Sequence, residues 1–303
     1  MSLSLNQRTT KRWSVAEAVE GCVRHGLEAV GLWREEVAEQ GLAESVKLVR
    51  DAGLRVSSLC RGGFLTTPAD PGPGTSDTSG QASGGTARRA ALDDNRRAID
   101  EAAELGAACL VMVVGGLPGV RPGEPLPADS DGAGRSFSRD LAGAREQVAE
   151  ALEVLAPYAG ERGVKLALEP LHPMYCADRA VLSTLAQAVD LCLPYPEEQV
   201  GVVVDTFHVW WDPRLFEEIA RAGGRIASYQ VCDYLQPLPA DVLLGRGMMG
   251  DGVIDFPPIT RAVAAAGYTG DVEVEIFNAD VWAADPNEIV ATMKHRYAQV
   301  VSA

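Results

Sequence analysis

Four polar residues stand where apolar runs stop. Glu169 closes VKLALE, Asp205 closes VGVVVD, Gln230 lies near the end of RIASYQV, and Glu275 lies in DVEVEIF. Each run has the length and β-branched character of a buried strand, so each polar residue is expected at a strand end. Three carboxylates converging in a partly dry pocket cannot all stay ionised without compensation, because an unpaired buried carboxylate is costly. A divalent cation is the simplest remedy. Carboxylate and amide oxygens form a hard donor set that suits Mg²⁺ or Mn²⁺ better than a thiolate zinc site. The competing reading is that one or more of these carboxylates caps the next helix or pairs with an arginine.

Two histidines repeat a spacing: His172 follows Glu169 by three residues (EPLH), and His208 follows Asp205 by three (DTFH). Both are expected just above the carboxylates, facing a substrate, whereas His25 and His295 fall on predicted helices. Arg61 ends the run SSLCR. Arg246 lies in Gly245–Arg246–Gly247–Met248–Met249–Gly250–Asp251–Gly252, which lacks the Gly-Lys-Ser/Thr ending of a nucleotide loop. Such a loop can bring backbone N–H groups and one arginine to an anionic or hydroxyl-rich ligand. Trp33, Phe64, Tyr175, Phe207, Trp210, Trp211, Phe277 and Trp282 follow strand ends. Flat apolar walls suit a sugar ring or an aromatic substrate, and about half of these rings are expected only to pack loops. Trp33, Tyr175 and Trp211 join His172, His208, Arg61 and Arg246 as candidate substrate contacts.

The elements that position these residues follow a rhythm. Charged helical stretches end at Gly26, Gly53, Gly106, Gly163, Gly223–Gly224 and Gly267, and an apolar run follows each within a few residues. With an opening strand at Ser2–Leu5 and another at Val200–Val204, eight strands are expected near 2–6, 28–33, 55–60, 108–114, 164–169, 200–205, 225–232 and 271–277. Eight alternating strands and helices predict a parallel (β/α)₈ barrel, an α/β fold of about 250 residues plus insertions. One domain then accounts for residues 1–303. In such a barrel the C-terminal strand ends share one rim, where chemistry collects. An open doubly wound sheet is the alternative, but Asn6–Trp13 is no glycine-rich phosphate turn. Ser14 and Glu17 form a capping box for the first helix. Thr66–Thr86 interrupts the rhythm with Pro, Gly, Ser and Thr, and reads as a flexible insertion, a lid or disorder; Pro118–Asp131 reads the same way less strongly.

Composition sets limits. A net charge of −15 argues against gripping a phosphate backbone, so no nucleic-acid partner is expected. No apolar run reaches the length of a membrane helix, and Met1–Trp13 lacks the apolar core of a signal peptide. Cys22, Cys60, Cys109, Cys176, Cys192 and Cys232 form no CxxC pair, which points to reduced structural thiols and a cytoplasmic setting. The partner expected is a small sugar-like or aromatic molecule, and a homo-oligomer is compatible with the chain.

At these residues the sequence resembles the sugar phosphate isomerase/epimerase family of xylose-isomerase-like barrels. Hydroxypyruvate isomerases, ketose 3-epimerases and inosose dehydratases belong to that group. The likeness runs from Ser2 to about Tyr297, apart from Thr66–Thr86, and is carried by ALEPLHPMY (167–175), VVVDTFHVWWDP (202–213), GRGMMGDGVID (245–255) and GYTGDVEVEIF (267–277). The resemblance implies that Glu169 and Glu275 are paired metal-bound glutamates serving as base and acid on opposite faces of the substrate carbon. It implies Asp205 as the metal aspartate, and His208 and Arg246 as substrate contacts. The family's fourth ligand is a histidine in a His-x-x-Asp arrangement; here Gln230 stands there, in Gln230–Val231–Cys232–Asp233. Tyr175 stands where the sugar 3-epimerases carry another glutamate.

The expected activity is therefore movement of a proton next to a carbonyl of a sugar or hydroxy-ketone by a divalent-metal-dependent isomerase or epimerase. One alternative is a lyase or cyclase on an oxidised glycoside or aromatic natural product. Another is a metal-free binding or partner subunit. The superfamily's DNA-repair branch, with its histidine-rich three-metal site and basic face, does not match four histidines and this charge.

Overall fold

Runs buried on both faces can pair only with other strands beneath covering helices, and here they close into a ring. The structure is a computed structural model that describes residues 1–68, 84–126 and 137–302. Its strands are β1 (Leu3–Asn6), β2 (Ala29–Trp33), β3 (Arg55–Gly63), β4 (Leu110–Val113), β5 (Leu166–Leu168), β6 (Val200–Asp205), β7 (Ile226–Val231), β8 (Asp233–Tyr234), β9 (Arg246–Gly247) and β10 (Val272–Val274). All but β8 and β9 form a closed barrel in the order β1-β10-β7-β6-β5-β4-β3-β2, and every neighbouring pair is parallel. The eight expected strands are all present. Ser14 caps the helix Val15–His25 with the full reciprocal capping box, and Gly26 ends it at φ +65.

Two details differ from expectation. β3 continues two residues past Arg61, and its register with β4 shifts between Cys60 and Gly62. A bulge of this kind turns a side chain out of the regular alternation, so Arg61 is aimed by a defect inside the strand rather than standing at its end. The helix Gly84–Leu105 begins within Thr66–Thr86, while residues 69–83 of that stretch lie outside the described residues. Residues 127–131 of the Pro118–Asp131 stretch also lie outside them.

The barrel interior is polar at its centre. Glu273 of β10 is fully buried and accepts hydrogen bonds from Asn6 Nδ2 (2.6 Å), Ser57 Oγ (2.5 Å) and Ser58 Oγ (2.9 Å). Gly31 of β2 makes room for it: a Cβ there would stand 2.6 Å from the Glu273 carboxylate. Helices wrap the outside, with Val148, Leu152, Leu155, Ile219 and Val263 buried against the strands. No helix among the described residues is long and apolar enough to cross a membrane.

Candidate active site

At the C-terminal rim the strand ends open into a cavity of about 210 Å³. Glu169 and Glu275 are the first residues past β5 and β10, and both line it with Trp33, Arg61, Tyr175, His208 and Arg246. Around the barrel β5 and β10 are separated by β6 and β7, so the two carboxyls approach from different sides.

Arg246 organises the floor. Its guanidinium is buried between the rings of Phe207 and Phe277, each 4.9 Å away. Its Nη1 donates to Asp205 Oδ2 (3.0 Å) and to Glu275 Oε2 (2.8 Å). Asp205 also accepts from the Phe207 N–H at 2.8 Å through Oδ1. Helix capping and arginine pairing, the competing reading for these carboxylates, both hold for Asp205. Glu275 receives a second bond from Asn6 Nδ2 (3.1 Å), whose Oδ1 in turn accepts from Trp33 Nε1 (2.9 Å).

The four expected metal ligands do not form one cluster. Ligand atoms of Glu169, Asp205 and His208 lie within 4.8 Å of one another, and those of Cys60, Glu273 and Glu275 make a second group. Arg246 stands between the two groups, bonded to Asp205 on one side and Glu275 on the other. Gln230 donates from Nε2 toward Glu273 (3.5 Å), while its buried Oε1 has no partner. A buried acceptor without a donor is expensive, so this oxygen suits a cation. Glu169, Asp205, Glu273 and Glu275 are all buried, and Arg246 bonds only to Asp205 and Glu275 among them. By chemistry Glu169, Asp205, Glu275 and Gln230 Oε1 are hard oxygen donors of the kind a divalent ion takes, while Arg246 stands between Asp205 and Glu275.

Burial, reinforced by the neighbouring charges of Glu275 and Asp205, raises the Glu169 carboxyl well above the usual range. Glu275 is pushed up to about 7 by burial, against the pull of Arg246. His208 is driven well below its ordinary value, first by burial and then by Arg246, and so is neutral. Its Nδ1 accepts from the His172 backbone N–H (3.1 Å), which leaves the ring proton on Nε2. Arg246 Nη2 lies 3.1 Å from that same nitrogen. A neutral imidazole accepts through one nitrogen only, so with Nδ1 taken by the His172 N–H the approach of Arg246 to Nε2 is a contact of two polar groups on the cavity wall and not a hydrogen bond.

His172 and Trp211 do not line the cavity. They pack edge to face with ring centroids 5.7 Å apart, and His172 serves the site only through its backbone. Of the eight rim aromatics, Trp33, Phe64, Tyr175 and Phe277 line the cavity; Phe207, Trp210, Trp211 and Trp282 do not. Tyr175 donates from its hydroxyl to Val242 O (3.1 Å), holding the roof over His208. The glycine-rich loop behaves differently from expectation. The N–H groups of Gly250, Gly252 and Ile254 all donate to the Asp233 carboxylate at 2.8–3.0 Å, so they are unavailable to a ligand. Only Arg246 reaches the cavity, carried on the β8–β9 ribbon, where Tyr234 pairs with Arg246.

Several lining residues had no sequence motif. Arg8, Glu35 and Arg179 complete the charged part of the cavity wall. Glu273 did have a signal: it lies two residues before Glu275, and a strand repeats its face every two residues.

A family model described as xylose isomerase-like TIM barrel matches residues 19–298. A crystal structure of a protein from Sinorhizobium meliloti 1021 has a TM-score of 0.86 and 44% identity, covering 99% of this chain and 98% of that one. Inosose isomerase of Bacillus licheniformis is 27% identical over 156 residues, 50% of this chain and 54% of that protein. The 3-dehydroshikimate dehydratase of Pseudomonas aeruginosa is 31% identical over 151 residues, 47% of this chain and 22% of that protein. The matched stretches thus span about half, or less, of these two relatives.

Proposed function

The chain belongs to the xylose isomerase-like TIM barrel family, and we propose that it is an isomerase or epimerase that moves a proton at a carbon next to a carbonyl of a small hydroxylated substrate. The observation that carries this reading is the pair of buried carboxyls, Glu169 and Glu275, entering one cavity from strands set apart around the barrel. In use, Glu275 removes the proton adjacent to the carbonyl, and Glu169 returns one to the neighbouring atom or the opposite face. The Arg246 guanidinium, on the cavity wall beside His208, donates to the oxygen on which negative charge develops. Asn6 and Arg246 keep the Glu275 carboxylate aimed, and Trp33 and Phe277 wall the ring and exclude water. A divalent ion on Glu169, Asp205, Gln230 and Glu275 would supply Lewis acidity toward the carbonyl. The inosose isomerase relatives support the reading.

The test is solvent exchange. Hydroxy-ketones, ketoses and inososes are incubated with the protein in D₂O with Mn²⁺ or Mg²⁺, and loss of the proton beside the carbonyl is followed by NMR. Exchange is expected with at least one class and to fall by about 10²–10⁴-fold in Glu169→Gln and in Glu275→Gln. Exchange that persists at full rate in both variants overturns the assignment. A second reading, β-elimination from the same intermediate, is favoured by the likeness to 3-dehydroshikimate dehydratase. It is distinguished by growth of conjugated-double-bond absorbance in the same reactions.

A further inference from the structure

Away from the paired carboxyls the cavity has a second charged region. Arg61 enters it from the bulge in β3. Arg179 enters from the segment after β5, where its backbone is fixed by a bridge between Gly115 and Ala180: Gly115 N donates to Arg179 O and Val181 N to Gly115 O, both at 2.9 Å. Arg8 lines the cavity beside them, but its charge is already used by Glu36 (2.9 Å) and Glu35 (3.4 Å).

Arg61 and Arg179 are different. Their side chains are only 31% and 24% exposed. The nearest carboxylates are Glu35, 3.8 Å from Arg61, and Asp178, 3.7 Å from Arg179, both beyond hydrogen-bonding distance. Among the described residues neither guanidinium donates a hydrogen bond, and Arg179 Nε is buried without a partner. Each guanidinium carries five N–H donors in a flat fork that matches an oxyanion. The Arg61 guanidinium itself lies over the Phe64 ring, its Cζ 4.5 Å from the centroid, so the fork is oriented before any ligand arrives while its N–H edges stay free. Burial, and the neighbouring charges of Arg179 and Arg8, lower the Arg61 pKa. Two half-buried like charges turned into one cavity repel, and a neutral polyol could accept from their N–H groups but would not relieve the repulsion.

We infer that the substrate bears an anionic oxygen group, a carboxylate or a phosphate ester, that Arg61 and Arg179 grip while Glu169 and Glu275 act on a carbon elsewhere on the same molecule. This rests on the proton-transfer reading for the second half of that statement only. The apolar walls Val111, Val113 and Leu171 fit a compact carbon skeleton between the two ends.

Calorimetric titration with D-glucose, D-glucuronate and D-glucose 6-phosphate tests it, because the three differ in one substituent. A charged sugar is expected to bind about tenfold tighter than glucose at low salt, with the advantage shrinking as ionic strength rises. Preference for glucuronate assigns a carboxylate, and preference for the phosphate ester assigns a phosphate. The advantage is expected to vanish in Arg61→Met, whose partly exposed position should leave folding intact, and in Arg179→Met. Equal binding of the three, no binding by any, or a charge preference that survives Arg61→Met in a folded protein each overturns the inference. Glu169→Gln keeps the preference while losing solvent exchange. Preference without exchange in the parent therefore sinks the proton-transfer reading and leaves this one standing. Exchange confined to neutral substrates does the reverse.

Discussion

Gly31 and Glu273 are coupled by space. The Glu273 carboxylate fills the volume where a side chain on Gly31 would begin, and it is tied by Asn6, which also holds Glu275. Gly31→Ala is expected to force that carboxylate aside, costing about 1–3 kcal/mol in urea unfolding and lowering turnover through Glu275. A variant with parental stability and turnover would show that Glu273 shifts freely. At this scale the sequence was partly legible. Glu169, Asp205, Gln230 and Glu275 could be found because each interrupts or ends an apolar run. Glu273 shares their face and was marked only by its place two residues before Glu275 in VEVE, a spacing that does not separate a rim residue from one in the barrel interior. Arg8 and Arg179 reach the cavity through loop paths that no local spacing encodes. His172 and Trp211 had the right neighbours in sequence, but their side chains turn toward each other.

The ribbon of β8 and β9 with the loop behind it acts as one element, and Asp233 is its peg. Its carboxylate accepts from the N–H groups of Tyr234, Gly250, Gly252 and Ile254. Gly252 comes so close that a Cβ would stand 2.3 Å from Tyr234 O. Asp233→Ala leaves buried N–H groups unpaired, at roughly 1–3 kcal/mol each where water cannot reach them. The expected result is a loss on the order of 3 kcal/mol in stability, faster proteolysis within 246–254, and a lower kcat as Arg246 loses its footing. Unchanged proteolysis and kcat would mean that the loop holds its shape without the peg. The barrel strands were readable because each is a buried apolar run after a helix-ending glycine. The ribbon was not, because two residues per strand carry no periodicity and its geometry is dictated by one carboxylate 17–21 residues away from the loop N–H groups it binds.

Across the whole molecule, burial of so many carboxylates makes stability depend on protons and cations. Glu275 at about 7 and Glu169 well above 4.5 both bind protons more tightly in the folded chain than in the unfolded one. Their stabilising contribution is full below about pH 4.5 and is lost as pH rises through 7. For Glu275 the change is about 3 kcal/mol. In chelator-treated protein, unfolding free energy from this cluster is therefore expected to fall from pH 5 to 8. Saturating Mn²⁺ or Mg²⁺ should remove the fall and raise Tm, since a ligand bound only by the folded state stabilises it by mass action. Gln230→Ala is expected to weaken that ion's effect about tenfold. A parent protein whose Tm ignores both ions at pH 8 would leave Arg246 as the cluster's only counter-charge. The closed barrel itself was legible from the count and rhythm of the strands, whereas this charge balance required knowing which carboxylates meet.

Closure by β1 against β10 also imposes an order in time. Asn6 is made 267 and 269 positions before the glutamates it orients. On the ribosome, Glu169 and Asp205 emerge well before Arg246, their counter-charge, and the gap beside β1 stays open until β10 has left the exit tunnel. The site is therefore completed only when the last of the barrel strands has been synthesised. A message cut short before β10 yields a chain with seven barrel strands, a naked edge on β1 and another on β7, and no functioning centre, which is a substrate for quality-control proteases rather than a weaker version of the protein.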